Sequence, residues 1–195
     1  MKLGDSKIIL YFFLFLSYLT CSNPPEPTQT EELSHFFPMQ VGNRWVYTTD
    51  YTFTQFEQYM EIIGTESIGT NEYFAWERRF SSGTYVERRS YRAGPGKTIY
   101  INYFGREFLY IDFQRPPGEQ WNSYAGFVGV VQRKNFECST PGRSFRKCIE
   151  IFFDDPGVDS ERWETYAPGI GLVLLRTVDG ISELKSARVN GISYP

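Results

Sequence analysis

Histidine is nearly missing from this protein: His35 is the one copy in 195 residues. A single imidazole cannot build a His-based metal centre, and a Ser-His-Asp arrangement would have to rest on a side chain beside a polar linker. Also missing are a G-x-S-x-G elbow, a P-loop, a G-x-G-x-x-G turn, an H-E-x-x-H helix and a C-x-x-C pair. These gaps predict no enzyme, no cofactor and no metal. Paired carboxylates for glycoside hydrolysis leave no local trace, so an unrecognised hydrolase stays as an alternative. There is no basic excess, with 20 Lys and Arg against 23 Asp and Glu and a net charge of −3. A nucleic-acid partner would need the opposite balance. Alanine and leucine are sparse beyond residue 33, and neither a helical period nor a solenoid repeat emerges.

No apolar run is long enough to span a bilayer, which takes about twenty residues. The longest, residues 8–19, has twelve residues in which only Ser17 is not apolar. Lys2 and Lys7 flank it and Cys21 follows. This pattern predicts an export signal over 1–20 ending at a lipid-modified Cys21. Thr20 suits the bacterial lipoprotein signal, whereas Tyr18 and Leu19 depart from its usual residues. Cleavage after Ser22 without lipidation is the alternative. Residues 22–34 read SNPPEPTQTEELS, too polar and proline-rich to repay ordering. We therefore read 21–34 as a lipidated cysteine and tether. The membrane is then a partner through acyl chains of the palmitate type. Ser22, rather than Asp, after the cysteine points to the outer membrane of a bacterial envelope.

What the sequence has in abundance is aromatic mass, with 14 Tyr and 17 Phe. Eleven strand-like runs follow the tether, at 44–54, 58–67, 73–80, 85–92, 98–103, 107–113, 126–136, 145–153, 162–166, 172–177 and 181–190. Turn signals separate them, among them Gly94-Pro95-Gly96, Pro141-Gly142 and Asp179-Gly180. The expectation is all-β: a single antiparallel domain over 35–195, forming a barrel, half-barrel or sandwich meander of about 9–11 strands.

Three clusters carry local information. A two-residue turn at Ser82-Gly83 would oppose Arg78 to Glu87 and Glu77 to Arg88, whereas a one-residue slip would oppose two glutamates. Cys138 and Cys148, in an exported protein, predict a disulfide across a hairpin turning at residues 140–143. Asp154, Asp155 and Asp159 lack the spacing of a calcium loop and read as an exposed turn. In residues 44–51, Trp45, Tyr47, Thr49 and Tyr51 share one face. Trp45, Tyr47, Trp121 and Trp163 are the candidate ligand contacts, with closure of the core as their competing role.

The segments FFPMQVGNRWVY at 36–47, TPGRSFRKCIEI at 140–151 and ETYAPGIGLVLLR at 164–176 together resemble a family of uncharacterised bacterial envelope lipoproteins. That family opens on Phe-Pro-x-x-x-Gly-x-x-Trp-x-Tyr, carries a Pro-x-Gly-x-Phe-x-x-Cys hairpin and closes near Tyr-Ala-Pro-Gly-x-Gly-Leu-Val. Arg143 stands where the hairpin pattern has Gly. The resemblance implies a small antiparallel β domain and no known activity. The expected function is a non-enzymatic binding module for an envelope or host partner. The alternative is a carrier holding an apolar or lipid ligand in an aromatic-lined half-barrel.

Overall fold

The computed structural model describes residues 36–81, 83, 85–155 and 160–195. The signal, Cys21, the tether, His35, Ser82 and Asp159 lie outside the described residues. The strands are β1 (Arg44–Tyr51), β2 (Thr54–Ile68), β3 (Asn71–Phe80), β4 (Val86–Ala93), β5 (Thr98–Tyr103) and β6 (Arg106–Asp112). A second run comprises β7 (Gln120–Asn122), β8 (Val128–Thr140), β9 (Arg143–Asp154), β10 (Arg162–Ala167), β11 (Gly171–Thr177), β12 (Gly180–Val189) and β13 (Ile192–Tyr194). One turn of 3-10 helix at Tyr124–Gly126 joins β7 to β8.

All ladders are antiparallel, and the sheet runs β6-β5-β4-β3-β2-β1-β12-β11-β10-β9-β8-β7, with β13 added to β12. The outermost strands of this order, β6 and β7, meet at a seam, so the sheet is barrel-like and nearly closed. Side chains bridge the seam in place of a ladder. The Trp121 indole and the Ser123 hydroxyl both donate to the Tyr110 carbonyl, at 3.1 and 3.2 Å, and Lys134 Nζ donates to the Phe113 carbonyl at 2.7 Å. These bonds occupy carbonyls that a bare edge strand would leave open.

Alternation drives the burial. Along β1, Trp45, Tyr47 and Thr49 point inward and are buried, as the sequence pattern demands. Trp45 stacks on Trp76 with centroids 4.9 Å apart. Residues just ahead of β1 plug the same end of the barrel. Phe37 packs against Trp76, Tyr91, Tyr110 and Tyr166. Each such ring removes roughly 150–250 Å² from water, which is why so many aromatics are needed to fill this interior.

The charge-derived register is the one observed: Arg78 pairs with Glu87 and Glu77 with Arg88. The connection is longer than two residues, however, because the strands stop at Phe80 and Val86. One strand end and the number of strands also differ from expectation. β1 ends at Tyr51, not residue 54, because Thr52 adopts a positive φ of 37° and turns the backbone. β13 follows a two-residue turn in which Asn190 and Gly191 have φ of 51° and 79°. With β7, also only three residues long, it brings the strands to thirteen among the described residues. Cys138 and Cys148 lie at disulfide distance, with Cα atoms 6.2 Å apart, in a hairpin whose turn is Pro141-Gly142.

Candidate functional site

Two small cavities lie inside the barrel and share the walls Met60, Trp76, Tyr91, Tyr110 and Leu172. The inner one, about 40 Å³, is bounded by Phe37, Trp45, Tyr47 and Tyr166. The outer one, about 70 Å³, is bounded by Gln58, Arg78, Glu87, Arg89 and Glu164. Aromatic rings thus give way to charge along one path through the interior.

The charged part is built on β3, β4 and β10. Arg78 and Arg89 both pair with Glu87, and Arg89 also donates to the Tyr124 hydroxyl at 3.1 Å. Burial pushes the Glu87 carboxyl up, but Arg89 and Arg78 outweigh it and hold it below the usual carboxylate range. Opposite stands Glu164. It accepts from Tyr110 at 2.8 and 2.9 Å, from Tyr166, and from Arg162 Nε at 2.8 Å. Burial, then the Glu164 charge, drives the Tyr110 and Tyr166 phenols well up. Burial takes Tyr91 up to about 12. Both oxygens of Glu164 are engaged by these donors, so the carboxylate is held as a structural acceptor.

Trp45, Tyr47 and Trp121 are at most 5 % exposed. The Trp45 indole donates to the Ile170 carbonyl at 2.7 Å, and the Tyr47 hydroxyl to Leu172 at 2.9 Å. Their rings and polar atoms are spent inside the domain, the core-closing role that competed with ligand contact. Trp45 and Tyr47 do line the inner cavity. Trp163 is half-buried on another face, against Phe152 at 4.9 Å with Arg176 above it. The four aromatics are therefore not brought together. Asp155 accepts from Ser160 at 3.0 Å.

Exposed aromatics lie elsewhere. Phe53 is 95 % exposed, Phe104 90 % and Tyr85 63 %. They sit on the β1–β2, β5–β6 and β3–β4 connections, which antiparallel topology places at one end of the barrel. Val178, on the β11–β12 connection, joins them there. The segment leading into β1 lies at the opposite end. Sequence reasoning missed the Phe53 tip because it ran a strand straight through it, and it began the next hairpin strand at Tyr85. Phe104-Gly105, with φ of 49° and 76°, carries the turn signal in its glycine alone.

No family model and no curated protein matches this sequence. Two solved structures align with this protein at low identity. A protein assigned as exported, with a YmcC-like fold, from Bacteroides fragilis NCTC 9343 aligns at TM-score 0.53 and 12% identity, over 78% of this protein and 98% of that one. A protein assigned as a lipoprotein, from Parabacteroides distasonis ATCC 8503, aligns at TM-score 0.45 and 14% identity over the same shares. What the Bacteroides fragilis comparison establishes is the fold: an antiparallel, barrel-like β domain.

Proposed function

We propose that this protein is a bacterial envelope lipoprotein whose β domain binds a protein partner and carries out no covalent chemistry. The observation that supports the reading is the contrast between interior and tip. The interior cavities, about 70 and 40 Å³, fall far below the roughly 300 Å³ at which small-molecule pockets begin. That size argues against the lipid carrier. At the same time Phe53, Tyr85 and Phe104 stand largely in water on three connections at one end, Phe104 against Tyr103 and Tyr85 beside Phe80, and so gather exposed aromatic surface there. In this reading Cys21 carries the acyl chains, and the outer membrane is the site suggested by Ser22. Phe36, the first described residue after the tether, enters at the end opposite the aromatic tips. The tips then face away from the anchoring membrane and toward another protein. The names of the two structural neighbours, one exported and one a lipoprotein, agree with an envelope location.

The test is native mass spectrometry of the protein purified from its own envelope. The expected result is a protein partner that travels with it and is lost from a Phe53→Ser, Phe104→Ser variant of unchanged melting temperature. A lipid or other apolar ligand inside the wild-type protein would contradict the reading. Cys21→Ala should move the protein from membranes to the soluble fraction, and retention on membranes would rule out the anchor.

A further inference from the structure

We propose that the end of the barrel at which the chain enters is a membrane-contact surface, in which Val41 and Ile192 sit among anionic lipid headgroups drawn in by Arg44, Arg188 and the β8–β9 hairpin. That the facing surface is the anchoring membrane rests on the lipoprotein reading above. The preference for anionic headgroups rests on the surface itself.

Two turns meet at this end. One runs through Val41 and Gly42 into β1, and the other through Asn190 and Gly191 between β12 and β13. A pair of hydrogen bonds staples them together. The Asn190 backbone N–H donates to Asn43 Oδ1 at 2.8 Å, and Asn43 Nδ2 donates to Asn190 Oδ1 at 3.3 Å. Val41 and Ile192 thus stand on stapled turns, 50 % and 57 % exposed. Such an apolar tip is unfavourable in water and gains free energy at the boundary between headgroups and acyl chains.

Positive charge surrounds the tip. The ladders place Glu61, Arg44, Arg188 and Ser193 in one row across β2, β1, β12 and β13. Arg44 and Arg188 are directly opposed like charges, an unfavourable pairing that an anion laid across both would relieve. The β8–β9 hairpin lies alongside. Its Arg143 stands over Tyr194 of β13 at 5.4 Å, with Arg146 and Lys147 exposed beyond it. Among the described residues none of these five cations forms an ion pair with a carboxylate, whereas every arginine of β3 and β4 does. Five cations against Glu61 and Glu137 leave this side positive, in a protein whose net charge is −3. The other carboxylates of this end belong to the β2–β3 hairpin and the β6–β7 connection, where Glu66 is turned to Ser90 and Glu119 to Arg115. The end is therefore polarised, and its basic side is the one an anionic surface attracts. The gap between the β8–β9 turn and β12 is only about 10 Å³, at the limit for one water, so the hairpin fits a layer of headgroups rather than a free small anion.

The experiment is sedimentation of the protein from Ser22 to Pro195 with lipid vesicles. That chain keeps the core residues, which run from Phe36 to Tyr194, and lacks the acyl chains, so the anchor does not enter the readout. Binding is expected to vesicles containing about one-third phosphatidylglycerol and not to phosphatidylcholine alone. It should vanish near 1 M salt, where screening cuts the reach of a charge to about 3 Å. Arg44→Gln with Arg188→Gln should weaken it about 25-fold, at roughly fivefold per charge, with the melting temperature unchanged. Val41→Ser with Ile192→Ser should weaken it about tenfold or more. A photoreactive residue in place of Arg188 should form a lipid adduct in the producing cell. No binding at low salt, equal binding to both vesicles, undiminished binding in the double glutamine variant, or a protein adduct from position 188 would overturn the proposal. Because the vesicles meet a chain without lipid, failure here leaves the anchor and the partner-binding reading to be judged by their own tests.

Discussion

The hydroxyl of Tyr110 lies 2.8 and 2.9 Å from the two carboxylate oxygens of Glu164, a residue on a strand that is not its neighbour in the sheet. β6 and β10 meet there only because the sheet curls until its two ends face one another. The contact is therefore a clasp on closure of the barrel. Tyr110→Phe should cost about 1.5–3 kcal/mol, the range for a hydrogen bond to a charged acceptor. Glu164→Leu should cost about 3–5 kcal/mol, since it leaves the Arg162 guanidinium buried beside Phe153 without its carboxylate. Urea unfolding of both variants checks the order, and Glu164→Leu should be the more damaging.

Alkali should unfold the domain earlier than a less aromatic barrel. The folded state holds the protons of Tyr91, Tyr110 and Tyr166 to higher pH than the unfolded state does, chiefly through burial. The unfolded state thus loses protons first, and stability falls as pH rises from about 10, the ordinary tyrosine value, toward about 12, where Tyr91 titrates. Phenolate absorbance and loss of the β signal in circular dichroism should rise together. Phenolate forming fully before unfolding would show these rings to be accessible. At the acid end the sign reverses. Glu87 is held low in the folded state, so its contribution is intact above the carboxylate range and lost below it, and Glu87→Gln should flatten that acid limb.

Gly129 sits opposite Trp121 in the β7–β8 ladder, and a methyl group on it would overlap the indole ring. Gly129→Ala should cost about 1–3 kcal/mol by overpacking and loosen the seam that the indole bridges. Faster hydrogen exchange in β6 and β7, with β1 unaffected, is the expected signature.

Cys138 and Cys148 close a loop of sequence separation 10. For so short a loop the entropy of closure contributes only about 2–3 kcal/mol. The double serine variant should stay folded with a lower denaturation midpoint. Local exchange should rise at the Pro141-Gly142 turn, which packs near β12 and β13 with Arg143 over Tyr194 at 5.4 Å. Free thiols in the protein isolated without reductant would contradict the bridge.

Much of this architecture was legible because it is written locally. Alternation placed Trp45 and Tyr47 on one inward face, and the opposite charges of Arg78 and Glu87 set a register that a slip would have made repulsive. Pro141-Gly142 marked its turn. The turn at Thr52 was not legible, because Phe53 beside it continues the apolar, strand-like pattern. The clasp between Tyr110 and Glu164 was hidden for a different reason. It joins residues 54 positions apart, and nothing near either residue signals the other. The orphaned Trp76 indole is likewise a property of packing: its sequence neighbours Ala75 and Glu77 carry no hint that its N–H has no partner.

The claim that the aromatic end is the binding face is tested most directly by photo-crosslinking in the producing cell. A photoreactive residue is placed at Phe53, Phe104, Glu72 or Ile192, all exposed, the first two at the aromatic end and the last two at the other. One discrete protein adduct is expected from positions 53 and 104, and none from 72 and 192. Adducts confined to 72 and 192, or a lipid adduct in place of a protein at 53 and 104, would contradict it.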